Sequence, residues 1–161
     1  MAINFMLKLV ANGTNVTGES SDDKYMGWIE VVAYEFGGDR AGVGQAGSGR
    51  CGAVNMGNVI LRKRADCASP VLFRSFTTNE ICNAELVLRK SGGEMEDYMH
   101  LYFENASIVK FLQGNLTFGG ESPEEEIHLS YQKIRIVYNV QDSRSGIVRG
   151  GIETDFEIMG G

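Results

Sequence analysis

The sequence predicts a mainly β chain, an antiparallel barrel or sandwich that carries one short helix and one long glycine-rich loop. Three observations carry this expectation. Apolar residues recur with period two along most of the chain, 21 glycines against 2 prolines favour turns over helices, and only one stretch has helix start signals. A length of 161 residues suits a single domain, 1–161, with a core of its own.

Ile3, Phe5, Leu7 and Leu9 alternate with other residues and predict a first strand, which ends at the turn-forming run ANGTNVTG. After the polar GESSDDK comes WIEVVAYEFGG, rich in β-branched and aromatic residues and read as the second strand. About fifteen glycine-rich residues follow, a length that in a compact domain is usually functional. In Gly52–Arg64, Val54 and Met56 are in one phase and Val59 and Leu61 in the other, which predicts a bulge near Gly57.

The stretch SPVLFRSFTTN reads as the helix, with Ser69 at the N-cap, Pro70 at the first helical position and Leu72, Phe73 and Phe76 as its apolar stripe. Cys82, Ala84, Leu86 and Leu88 then alternate up to the turn SGG at 91–93. DYMHLYFENASIVKFLQGN gives one or two strands. In IHLSYQKIRIVYNV the phase slips at Gln132 or Lys133 and implies a second bulge. In the last strand Ile152, Thr154, Phe156 and Ile158 face one way and Glu153, Asp155 and Glu157 the other, an alternation suited to one buried and one solvated face. The total is seven to nine strands and one helix.

Charge and motifs narrow the function classes. With 15 basic and 21 acidic residues, the net charge of −6 gives no support to nucleic-acid or anionic-lipid binding. The amino terminus alternates like a strand and lacks the layout of a signal peptide, and no run of about 18 apolar residues suggests a membrane helix. Cys51, Cys67 and Cys82 lack metal or disulfide spacing and are expected to be reduced. The triplets at Asn12, Asn15, Asn105 and Asn115 match the glycosylation pattern by chance on this reading.

GVGQAG at 42–47 matches a dinucleotide fingerprint letter for letter, but a strand pattern follows where that motif needs a helix. GQAGSGRC at 44–51 has Arg50 and Cys51 in place of the lysine and hydroxyl of a phosphate loop. His100 and His128 sit in strand alternation as solvent-facing or cross-strand residues, and Glu121, Glu124, Glu125 and Glu126 follow turn residues and read as a solvated loop. No nucleophile elbow or metalloprotease motif is present in the sequence. No catalytic residue, cofactor or metal is therefore expected.

The ordered set GES at Gly18–Ser20, WIEVVAYEFG, ASPVLFRSF, LVLRKSGG at Leu86–Gly93 and IHLSYQKIRIVYNV resembles the haemolysin-coregulated protein (Hcp) family, tube subunits of bacterial type VI secretion. The resemblance spans nearly the whole chain. It implies an antiparallel β-barrel of two sheets with one short α-helix and a long glycine-rich extended loop, and a structural subunit rather than an enzyme. Six copies would form a ring, and rings would stack head to tail into a hollow tube that carries small effectors. The partners implied are the chain itself, the sheath, the spike and the effectors, with export from the bacterial cytoplasm and no membrane insertion.

The glycine-rich loop would make the ring-stacking contact, through Gly38, Asp39, Arg40, Gly44, Gly47, Gly49 and Arg50. By its place in the second strand, Glu35 is the candidate lumen-facing residue. Two alternatives stay open, a tail-tube protein of a phage or another contractile injection system and a monomeric β-sandwich binding module.

Overall fold

A computed structural model describes residues 3–40, 42, 52–90, 96–116, 122–141 and 148–158, and within them the chain forms twelve strands and one helix. The first sheet is built on β1 (Ile3–Ala11). At Asn12–Gly13 both residues have positive φ, the geometry of a tight hairpin turn, and the chain returns as β2 (Thr14–Val16). On its other side β1 pairs along its length with β8 (Cys82–Lys90), followed in order by β9 (Glu96–Gly114), β11 (Lys133–Gln141) and β12 (Val148–Glu157).

The second sheet runs β4 (Ala33–Glu35), β7 (Val59–Arg64), β10 (Glu124–Ser130) and the carboxy-terminal half of β9. Two devices join the sheets. β3 (Ile29–Val31) pairs with β1, and after a bend at Val32 the same segment continues as β4 against β7. The 19-residue β9 belongs to both sheets, bent by irregularities opposite Asn83 and between the partners of His128 and Leu129. Each shifts the inward phase by one residue, from Leu101 and Phe103 to Ala106 and Ile108, and then to Phe111. This is the expected two-sheet antiparallel fold, although its ladders link ten strands through a branched seven-strand path rather than a regular closed cylinder.

Leu7, Leu9, Ile29, Leu61, Leu86, Leu101, Phe103, Ile127 and Leu129 form the core between the sheets. α1 (Ser69–Thr78) packs Leu72 into it and closes with Asn79 in the left-handed conformation. Its start differs from expectation. Ala68 is the N-cap, while the Ser69 hydroxyl accepts a bond from the Asp66 amide (2.9 Å) and the Asp66 carboxylate accepts one from Ala68 N (3.0 Å). The stripe differs too: Leu72 is buried but Phe73 is largely exposed, meeting Phe111 edge-on at 5.5 Å.

Both expected bulges are changes of sheet. β6 (Asn55–Met56) leaves β7 to pair with β5 (Gly38–Asp39), and Gly57 N bonds to Gly37 O at 2.8 Å. Likewise β10 lies in the second sheet and β11 in the first; between them Gln132 donates to Glu104 O (3.1 Å) and accepts from Ile158 N (2.6 Å). The turn at 91–93 falls outside the described residues.

A segment read only as a polar loop covers the outer face of the first sheet. Residues 20–28 lie over Met6 and Val87 and bury Tyr25, with Trp28 packed alongside. Arg89 holds this strap: its guanidinium donates to Asp22 (2.6 Å) and Asp97 (2.9 Å), and Asp97 also accepts from Tyr25 (2.5 Å) and Lys24. The Arg89 bond keeps Asp22 below the usual carboxylate range. Burial pushes Asp97 upward, but hydrogen bonds from Lys24 and Tyr25 outweigh it and the net shift is down.

Candidate interaction surfaces

The side chains singled out from the sequence are divided between two places. Gly38 and Asp39 form β5, whose short ladder with β6 ties together the two ends of the glycine-rich loop. Gly38 sits so close to Asn55 O that a Cβ there would approach it to 2.6 Å. Arg40 follows and is exposed. Gly44, Gly47, Gly49 and Arg50 lie outside the described residues.

Glu35 is exposed on β4, and directly opposed residues of antiparallel strands share a face. The ladders therefore place Glu35, Ile60, His128 and Lys110 in one row, Ala33, Arg62, Glu126 and Leu112 in the next, and Arg64, Glu124 and Gly114 in a third. This is the solvent side of the second sheet. Glu126 is its electrostatic centre: His128 Nε2 lies 2.8 Å and Lys110 Nζ 3.8 Å from Oε1, and Arg62 Nε lies 3.2 Å from Oε2. The bond from His128, with Arg62 beside it, holds the Glu126 carboxyl below its ordinary range. His128 is thus on the polar face as expected, engaged by a carboxylate two residues away.

The opposite side of the same strands corrects the reading of the acidic run. Glu124–Glu126 begin β10, and Glu125 is fully buried, with Oε2 2.8 Å from Lys63 Nζ and Oε1 accepting from Gln113 at 2.8 Å. Lys63, also buried, donates further to Asp66 Oδ1 and Arg64 O, each at 2.8 Å, and is 3.4 Å from Ser69 Oγ. A charge placed beside apolar side chains persists only when paired and hydrogen-bonded. The sequence did hold a signal, because Lys63 is in phase with Val59 and Leu61, and Glu125 with Ile127 and Leu129.

A third surface lies at the far edge of the first sheet. Among the described residues β12 pairs with β11 alone, and its described side chains up to Glu157 are exposed on both faces, not the half-buried alternation expected. Ile152, Phe156 and Tyr138 stand on the side that faces the core farther along the sheet, Ile152 at 68% exposure. Glu153, Asp155 and Glu157 stand on the other, with Lys133 3.5 Å from Asp155 and the Arg135 guanidinium 4.3 Å from the centre of the Tyr102 ring. His100 lies on this outer face, 3.3 Å from Glu85 and parallel to the Tyr102 ring.

Among the described residues, no group of three or more His, Cys, Asp and Glu is arranged to hold a metal ion, and no helix is long and apolar enough to cross a membrane. Cys67 is exposed and Cys82 buried, and both are free thiols; Cys51 lies outside the described residues.

Residues 7–138 match the family model described as the type VI secretion system effector Hcp. The chain belongs to the Hcp family. Solved structures agree along almost its full length. A type six secretion system protein superimposes with a TM-score of 0.85 at 25% identity, covering 97% of this chain and 96% of that one. For Hcp1 from Salmonella typhimurium the TM-score is 0.74 at 26% identity, with 98% and 95% covered. An Hcp1 variant from E. coli EAEC 042, 24% identical, shares the fold with a TM-score of 0.78 over 97% and 99% of the two chains. No curated protein matches at a significant level.

Proposed function

We propose that this Hcp-family chain is the structural subunit of a type VI secretion tube, assembling into hexameric rings that stack head to tail, leave the cell and carry small effectors in the lumen. It acts by assembly and has no catalytic step. Family membership supplies the context, and the observation that carries assembly is the β11–β12 edge. That two-stranded extension leaves Tyr138, Ile152 and Phe156 in water on the side that elsewhere faces the core, together with a strand edge that has no partner among the described residues. Apolar side chains on an open edge are ordinarily covered by another chain.

In this arrangement the loop containing Gly38, Asp39, Arg40, Gly44, Gly47, Gly49 and Arg50 reaches the next ring. Glu35 and the charged side of the second sheet face the lumen. A closed ring needs two different patches on each subunit, unlike a symmetric dimer that reuses one.

The test is the solution mass of wild type and of an Ile152→Asp/Phe156→Asp variant, with circular dichroism to confirm the fold. Wild type should behave as a multimer and the variant as a single chain. An equally large assembly in the variant would remove this edge from the contact.

A further inference from the structure

We infer that the solvent side of the second sheet docks an extended acidic segment of a partner protein, with Asp or Glu at alternate positions, through Arg62, Arg64 and Lys110. The inference rests on the proposed function for its setting, because it gives the lumen-facing candidate surface a chemical preference. The chain as a whole is acidic, with a net charge of −6. This face does not share that excess. It gathers Arg62, Arg64 and Lys110 with the imidazole of His128, against Glu35, Glu124 and Glu126.

The cationic groups are also under-used. One carboxylate, Glu126, serves Arg62, Lys110 and His128 together. Arg62 spends only its Nε on that carboxylate, and its side chain is 60% exposed. Lys110 is half exposed and, at 3.8 Å, lies beyond hydrogen-bond distance. A guanidinium with its fork unfilled is suited to a carboxylate from outside.

Spacing fixes the form of the partner. Arg62 and Arg64 are two residues apart on one strand and so point the same way, about 7 Å apart. An extended chain repeats its side chains at the same interval, which puts carboxylates at every second position in register with them. Ile60 and the exposed Leu112 lie in the same rows and provide apolar contact beside the charges. Glu126 acts as a tethered competitor, occupying Arg62 and Lys110 until an incoming carboxylate displaces it.

The experiment is fluorescence anisotropy of a labelled peptide alternating Glu and Ser against the full chain at low salt, with a Lys–Ser peptide as control. Binding of the Glu–Ser peptide should tighten about threefold in Glu126→Gln, since a competing ion is lost while its size is kept. It should weaken about tenfold in Arg62→Glu/Arg64→Glu, where like charges meet. A merely structural role for Glu126 does not tighten binding when removed. No response in either variant, or equal binding of the Lys–Ser peptide, would overturn the inference. Light-scattering mass on the same samples separates the two readings: rings that ignore the peptide sink only the docking, while a single chain that binds it sinks only the ring.

Discussion

Removing Glu125 should cost more stability than removing any solvent-facing carboxylate of this chain. Its side chain and that of Lys63 are both at 0% exposure, and their atoms lie 2.8 Å apart. Breaking a buried pair by deleting one member costs about 3–5 kcal/mol, because the survivor stays buried without its counter-charge. In Glu125→Leu, Lys63 keeps Asp66 Oδ1 and Arg64 O, each at 2.8 Å, which places the loss near the lower end, about 3 kcal/mol. In Lys63→Met, Glu125 keeps only the Gln113 amide, and the loss should be near the upper end, about 5 kcal/mol.

The double variant Lys63→Met/Glu125→Leu replaces charges by apolar groups of similar size and should cost less than either single change. Urea unfolding followed by the fluorescence of Trp28, the sole tryptophan, measures all four proteins. Protein concentration must be equal throughout because association adds to apparent stability. Additive losses, agreeing within about 0.5 kcal/mol, would refute the coupling argued here.

Other consequences are equally direct. Gly18→Ala should destabilise by about 1–3 kcal/mol in the same assay, since a Cβ would lie 2.4 Å from Trp28 O and 2.7 Å from Ile29 Cα and force the chain at Gly18 away from the Trp28–Ile29 backbone. Phe103→Ala should cost about 3–5 kcal/mol, because this ring is 1% exposed and packs edge-on against Tyr131 (5.1 Å) and Phe36 (6.0 Å). The strap should loosen in acid. Asp22 and Asp97 have lowered values in the fold, so their contribution is complete above the unfolded carboxylate value near pH 4 and is lost as pH falls through the folded values. Trp28 emission should report that loss, and Arg89→Gln should produce the loosened state already at neutral pH; an emission unchanged by the substitution would count against Arg89 as the anchor.

What could be read from the sequence was local. Asn12–Gly13, the alternation of Ile3–Leu9 and Cys82–Leu88, and a helix beginning at SPVLF each act within a few residues, and the structure bears them out, with Pro70 at the second helical position rather than the first. The departures arise where distant strands decide. Phase slips near Gly57 and Gln132 look alike for a bulge and for a move to another sheet, and only the partners, Gly37 and Glu104, distinguish them. Ser69 lost the N-cap position because Asp66, three residues earlier, bonds back to the helix start and to Lys63.

The candidate surfaces were legible in the same uneven way. His128 could be placed on a polar face from alternation, whereas Glu35 is in phase with the buried Ile29 and Val31 and turns outward only through the bend at Val32; the meeting of Arg62, Lys110 and His128 at Glu126 requires the register of three strands. β12 shows the converse: its alternation is clear, but among the described residues no layer covers it, and both its sides are exposed.

The most direct measurement of the central claim is size-exclusion chromatography with light scattering, followed by negative-stain imaging of the same peak. A tube subunit of 17.6 kDa should elute as a hexamer of about 106 kDa and show rings with an open centre. A sharp peak at the mass of one chain, unchanged at high concentration and without rings, would contradict the account.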